Sequence, residues 1–375
     1  MAGLYLHIPF CKKRCIYCDF YSTTREEMKR RYVEALCKEL ETRKGYLQGE
    51  PLTTIYLGGG TPSQLSPQEL ELIFNTIAYC FDLSKVEEIT LEANPDDLTP
   101  DYVKGLRQLP INRLSMGIQS FDDGMLRLLN RRHTAQEAME AVNRCQQAGL
   151  QRLSIDLMYG LPNQTEELWE RDLAQAITLG VEHISAYHLS IEEGTPLHRL
   201  LQSHRVEEAD EELSVRLFER LTTTLTAAGY QHYEISNFAL PGCHSRHNSS
   251  YWEGVPYLGC GAAAHSFHGN SREWNVASID RYIEGICQGR RNYEEEQLDL
   301  YTRYNERVMT ALRTRHGLSL PQLKAEFGQE LHNYCLRMAR PHLLTGVLEQ
   351  EGDTLRLSHQ GILISNDILS DLMFV

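Results

Sequence analysis

Two patterns of apolar and polar positions alternate along this chain. Short apolar runs, the first being Leu4-Tyr5-Leu6-His7-Ile8-Pro9-Phe10, read as buried strands, and the stretches between them repeat apolar residues at helical spacing. A helix over about residues 24 to 44 sets Met28, Tyr32, Ala35, Leu36 and Leu40 on one stripe. The strand Thr54-Ile55-Tyr56-Leu57 then runs into Gly58-Gly59-Gly60-Thr61-Pro62. Ser66, Pro67 and Glu69 spell a capping box with proline at the first helical position, and Leu70, Ile73, Phe74 and Ile77 mark the buried face of the helix behind it. Further strands are predicted at 88–94, 113–120, 152–160 and 184–189, each followed by a helical pattern. Such alternation argues for an α/β fold of parallel strands joined by helical crossovers. Six units are too few to close the eight-unit barrel, so a partial, open βα barrel is expected, with its site at the C-terminal ends of the strands. Glu92, Gln119 and Asp156 each stand near such an end, on three different strands.

Beyond a charged helix at about 207–228 the periodicity weakens. The chain passes through Tyr233 to Ala239, a polar loop from Pro241 to Trp252, and a small-residue stretch from Gly259 to Ser266 that allows close approach to backbone. From about residue 300 the pattern becomes helices near 303–314, 320–327 and 330–340, a hairpin from Val347 to Leu357 turning at Gly352-Asp353, and a last helix. Three units are therefore expected: a barrel over 1–240, a connecting segment over 241–299, and a winged-helix-like α+β domain over 300–375.

Composition narrows the function. With 375 residues, 42% of them hydrophobic, the chain can fill a large core and a smaller one. No apolar run approaches the ~18 residues of a membrane span, and the charged Lys12-Lys13 pair leaves no room for a signal segment ahead of it. Cysteines without a disulfide pattern fit a reducing compartment, so a cytoplasmic location is expected, with any membrane contact made through an acceptor protein. A net charge of -14 opposes nucleic acid as a partner. Winged helices often read DNA, but residues 300–375 carry eight Lys or Arg against eight Asp or Glu, which suits a lid or a docking domain better.

The chemistry concentrates in Cys11-Lys12-Lys13-Arg14-Cys15-Ile16-Tyr17-Cys18, one loop directly after the first strand. Iron-sulfur cubanes ordinarily take four cysteine ligands, so three thiols leave one iron open to another ligand. A structural zinc site needs a closed tetrahedral shell, and neither His7 nor Asp19 falls at customary spacing for the fourth position. The other seven cysteines are scattered through apolar patterns and read as core.

That spacing resembles the radical SAM family, in which S-adenosylmethionine (SAM) fills the open iron and a Gly-rich turn meets its methionine end. The resemblance implies a 4Fe-4S cluster on Cys11, Cys15 and Cys18 that reduces the sulfonium of SAM. Tyr5 with HIPFC, GGGTP, EANP, GIQSF, NRRH and IDLMYGLP are similar, more narrowly, to the oxygen-independent coproporphyrinogen III oxidases and their relatives. By that similarity Tyr5, Tyr17, Gly60, Thr61, Pro62, Glu92, Gln119, Arg131 and Asp156 contact SAM, with Tyr187 and the stretch 261–265 beside them. Two departures tell against the oxidase itself: Phe20 stands where the oxidases carry a further cysteine, and only ten residues precede Cys11. In their place His247 to Trp252, HNSSYW, resembles the signature of the HemW-like radical SAM heme chaperones. This implies binding of heme and its delivery to apo-acceptors such as respiratory cytochromes. An exposed loop imidazole at His247 is the expected axial ligand, with Tyr251 and Trp252 covering the porphyrin, and Cys243, His244 and His265 are alternatives.

Overall fold

The computed structural model describes all 375 residues. Six strands follow one another in both sequence and space: β1 (Ala2–Ile8), β2 (Leu52–Gly59), β3 (Glu88–Ala93), β4 (Arg113–Gln119), β5 (Leu153–Tyr159) and β6 (His183–His188). Each pairs in parallel with the next. This is the expected open βα barrel. The helices that cross between strands bury the predicted stripes: Tyr32, Leu36 and Leu40 on the first, and Leu70, Ile73 and Ile77 on the second, have no exposed surface. The capping box of Ser66 and Glu69 forms in full.

The sheet does not stop at these six strands. On the β6 side it gains β7 (Gln231–Glu234) and β8 (Asn237–Ala239), with β8 antiparallel to β6. On the β1 side it gains β9 (Tyr257–Cys260), parallel to β1, and then β10 (His265–His268), β11 (Ser271–Asn275) and β12 (Tyr293–Gln297) in antiparallel succession. The segment 241–299, expected as a connection, therefore carries a whole wing of the main sheet. Its strands are short and, beyond β9, mostly polar, so no alternation announces them; pairing with an already formed neighbour supplies what their own pattern lacks. The outermost strand, Tyr293-Glu294-Glu295-Glu296-Gln297, is exposed throughout, and its three carboxylates discourage another chain from adding to the edge.

The C-terminal unit packs around its own core, from Tyr304 to Leu372. Helix Leu300–Leu312 leads to β13 (Leu318–Ser319), a helical stretch Leu320–Thr345, the hairpin of β14 (Leu348–Glu351) and β15 (Thr354–Leu357), and two short helices. The two helices predicted over 320–340 meet at Gly328, whose φ of 83° breaks the helical run between them. A three-stranded sheet in the order β13-β15-β14 completes a winged-helix-like arrangement. No helix in the chain is long and apolar enough to cross a membrane.

Candidate functional site

The C-terminal ends of the parallel strands surround a cavity of about 430 Å³. Cys11, Tyr17, Cys15, Cys18, Gly60, Thr61, Glu92, Gln119, Arg131, Asp156 and Tyr187 all line it. Residues from seven separate parts of the chain thus meet at one cavity. Two expected members do not reach the wall. Tyr5 lies behind it, its hydroxyl 3.0 Å from His7 Nδ1 and its ring stacked on Tyr56, and Pro62 is buried at the start of a short helical turn.

Hydrogen bonds to its backbone hold the cysteine loop in place. Cys11 N donates to Thr23 O at 2.9 Å, Ile16 N to Leu129 O at 3.3 Å, and Asn130 Nδ2 to Arg14 O at 2.8 Å. Cys11 Sγ stands 3.4 Å from Thr61 Oγ1, and Arg131 Nη1 donates to Cys15 Sγ at 3.1 Å. Burial pushes the Cys18 thiol up to about 11 and raises that of Cys11. A bound metal reverses this preference by taking the thiolates as ligands. The three thiols share one wall without standing around a single point, and as a donor set they suit an iron-sulfur cluster with one open iron.

The glycine turn does less cradling than its sequence suggests. A Cβ on Gly59, at φ 104°, would meet the His7 ring at 2.4 Å, and one on Gly60 would meet the Pro9 carbonyl carbon at 2.6 Å. These glycines let the ends of β1 and β2 close together, which sets the turn against the cysteine loop. Gln119 sits at φ 76°, in the left-handed region, where the β4–β5 register slips. A non-glycine residue held there stores on the order of 1–3 kcal/mol, and its side chain is thereby turned into the cavity.

Polar groups at the cavity floor are paired and perturbed. Glu92 accepts from Tyr56 OH at 2.7 Å and Gly59 N at 3.1 Å; burial, reinforced by Asp156, raises its carboxyl from the ordinary 4.5 to about 7. Burial likewise raises Asp156 to about 6, although Ser115 Oγ lies 3.3 Å away. Arg131 Nη2 donates to Asn94 Oδ1 at 2.6 Å and to the Gly117 carbonyl, while its buried Nε has no partner. An acid pair facing a guanidinium suits a zwitterion, and SAM carries an amine and a carboxylate.

The raised Glu92 value has a consequence for folding. Its protonated form is favoured by the folded chain, so the stability it contributes is complete below pH 4.5 and is lost as pH rises through about 7. Urea unfolding between those limits is expected to show wild-type stability falling with pH, and a smaller fall in Glu92→Gln. Equal slopes for the two proteins would show that the carboxyl is not perturbed.

Sequence reasoning missed Ser115, Met158, Leu189, Ser190 and Glu192, which also face the cavity. Met158 and Ser115 sit on predicted strands and their inward direction was readable from alternation; the residues after β6 lie in a loop with no motif. Asn94, in the EANP run, faces the cavity as well.

HNSSYW departs from expectation. It is a helix, Arg246–Trp252, capped by Ser245 and anchored by Glu88, whose carboxylate accepts from the Arg246 and His247 amides at 3.1 and 2.9 Å. His247 is therefore no exposed loop imidazole. It has no exposed surface, stacks on Tyr56 at 5.0 Å, and has both ring nitrogens engaged, Nδ1 2.8 Å from Thr54 Oγ1 and Nε2 2.9 Å from Tyr251 OH. Burial lowers its pKa to about 3, so the ring is neutral. Of the alternatives, His265 stacks on Trp274, Cys243 is partly exposed, and His244 faces a second cavity at the junction with the C-terminal unit.

Comparison with known proteins agrees with this geometry. Residues 5–176 match the radical SAM superfamily and residues 298–364 the HemN C-terminal domain. The chain is 32% identical to the heme chaperone HemW of Bacillus subtilis over 98% of both chains. It is 34% identical to the heme chaperone HemW of Escherichia coli, over 98% of this chain and 97% of that one. Among solved structures, the coproporphyrinogen III oxidase HemN of Escherichia coli superposes with a TM-score of 0.85 over 99% of this chain and 90% of that one, at 22% identity, a likeness of fold. Similarity that runs from the cysteine loop through the C-terminal unit places the chain in the radical SAM superfamily and, within it, in the family of the heme chaperone HemW.

Proposed function

We propose that this protein is a heme chaperone, which takes up heme and gives it to apo-acceptors such as respiratory cytochromes. The observation that carries this reading is the near full-length similarity to HemW chaperones. Phe20 supports it: where the oxidase pattern has a further cysteine, this chain presents a ring that is 65% exposed at the cavity. Membership of the radical SAM superfamily implies a 4Fe-4S cluster and SAM. Cys11, Cys15 and Cys18 would hold the cluster, and Tyr17, Gly60, Thr61, Glu92, Gln119, Arg131 and Asp156 would hold SAM. Bound together, these groups supply one-electron chemistry at the SAM sulfonium. The chain's own part is to orient and shield. Glu92 and Asp156 would hold the SAM amine, Arg131 bridges the cysteine loop and β4, and Tyr17 and Tyr187 line the cavity. Ten free cysteines favour a reducing compartment, in keeping with a cytoplasmic protein.

The test is an anaerobic hemin titration of the cluster-loaded protein, followed in the Soret band, with a parallel assay for coproporphyrinogen III decarboxylation in the presence of SAM and a reductant. Saturable, near-stoichiometric hemin binding without sustained product is expected. Sustained SAM-dependent turnover would overturn the chaperone reading in favour of the oxidase.

A further inference from the structure

A smaller cavity, of about 50 Å³, lies inside the barrel next to the floor of the cysteine cavity. Glu92, Ser115, Asp156 and Tyr187 line both, whereas Ser245 and Asn248, from the cap and first turn of the HNSSYW helix, line only the inner one. Barrel interiors are ordinarily filled by layers of bulky apolar side chains. Here the inward positions of β3 to β6 are polar, Thr90, Arg113, Ser154 and His183 among them, while the alternating Leu91, Leu114, Ile155 and Ile184 join the main apolar core.

Two of these side chains hold a polar atom with no protein partner. Thr90, with no exposed surface, leaves Oγ1 unpaired, and Arg113, 4% exposed, leaves Nη2 unpaired. Arg113 Nη1 is tied down: it donates to the Cys243 carbonyl at 3.3 Å and lies 3.9 Å from Glu88 Oε2. A buried cationic donor without a partner is costly. A polar space of this size suits ordered water, which needs roughly 10–15 Å³ and polar neighbours on several sides. Asp156 shares the cavity; burial raises its carboxyl to about 6, while Ser185, Ser115, Arg131 and Arg113 pull it down. The other titratable groups lining the cavity with it are Glu92, raised by burial to about 7, and Tyr56, Tyr187 and His183, which burial keeps uncharged. Arg131 approaches the acid pair from the side of the cysteine loop, so Arg113 is the balancing charge from within the barrel.

We propose that this cavity holds ordered water bonded to Arg113 Nη2 and Thr90 Oγ1, and that through it Arg113 acts as a positioning residue, keeping Asp156 ionised to receive the amine of SAM. The inference rests on the reading of Glu92 and Asp156 as the seat of that amine. No motif contains Arg113, which stands at the start of β4. The HNSSYW segment gains a part as well: Ser245 and Asn248 border the water, and the nearby Cys243 carbonyl holds the guanidinium that faces it.

Two measurements test this. A crystal structure of the full chain is expected to show water within hydrogen-bond reach of Arg113 Nη2 and of Thr90 Oγ1; a dry cavity would overturn the proposal. Binding of SAM to the cluster-loaded protein, followed by anaerobic equilibrium dialysis, is expected to tighten as pH rises through about 6 to 7, where the acid pair ionises. In Arg113→Gln that rise is expected to move upward by at least about half a pH unit, with weaker binding near its lower end and little change at its upper end. A merely structural role for Arg113 weakens binding alike at every pH; that result, or a midpoint that stays in place, would overturn the proposal. Should circular dichroism show Arg113→Gln unfolded, Thr90→Val decides instead, since it keeps Arg113 and removes the other partner of the water. A smaller upward displacement is expected there, and an unmoved midpoint would again overturn the proposal. Failure of wild type to bind SAM at any pH would overturn the reading of the acid pair, and this inference with it.

Discussion

Replacing Cys15 by serine is expected to abolish iron incorporation while leaving the fold unchanged. Cys15 lies half-buried in an irregular loop at the end of β1, and its Sγ faces the cavity and the Arg131 guanidinium. In the proposed site each of the three thiols would hold a different iron of a cubane, so losing one would leave two irons without a cysteine in place of one. A serine hydroxyl can still accept from Arg131 at the same place. The loop's own anchors, Cys11 N to Thr23 O and Ile16 N to Leu129 O, are backbone bonds that the change does not touch. Iron and acid-labile sulfide measured after anaerobic reconstitution are expected to fall to background, with far-ultraviolet circular dichroism equal to wild type. An unfolded variant would show instead that the cluster holds the barrel together.

The largest expected loss of stability comes from a residue far from any motif. Glu39, on the first helix, has no exposed surface and accepts from Gly261 N at 2.8 Å, Asn275 Nδ2 at 2.8 Å and Tyr282 OH at 2.7 Å, with Arg43 Nη1 at 3.4 Å. Arg43 in turn donates to the Gly259 carbonyl and Glu273, and Arg291 pairs with Glu273 at 2.6 Å. One carboxylate thus ties the first helix to β9, β11 and the helix at 279–287. Glu39→Gln puts an amide donor where the surrounding groups all donate, and it leaves Arg43 without one of its charge partners. Breaking one side of a buried ionic network costs on the order of 3–5 kcal/mol. A urea midpoint shift equivalent to less than about 1 kcal/mol, the size of an ordinary surface change, would show that the network reorganises around the amide.

Glu39 also marks where sequence reading stops. In the helical pattern it is one more polar position between Leu36 and Leu40, and nothing in its neighbourhood distinguishes it from the exposed Glu41. Apart from Arg43, its partners lie more than two hundred residues away, in a segment whose strands have no alternation of their own. The same holds for HNSSYW. Its residues suggest an exposed ligand loop, and Ser245 does announce a cap, but only the Glu88 carboxylate arriving from β3 decides that the segment is a helix with His247 turned inward.

What the sequence determined by itself is local and periodic. The six parallel strands, the capping box, the hairpin at Gly352-Asp353 and the cysteine loop are each specified by neighbours in the chain, because apolar spacing, turn residues and caps act within a few residues. The motifs also placed most of the cavity wall, since parallel strands deliver their C-terminal ends to one face whatever follows them. Tertiary structure decided the rest: that 241–299 extends the sheet, that Tyr5 and Pro62 stand behind the wall, and that His247 is enclosed while His244 and Trp252 open onto the cavity at the junction with the C-terminal unit. Those outcomes depend on partners distant in sequence, whose approach is set by the packing of the whole chain and leaves no period in the residues themselves.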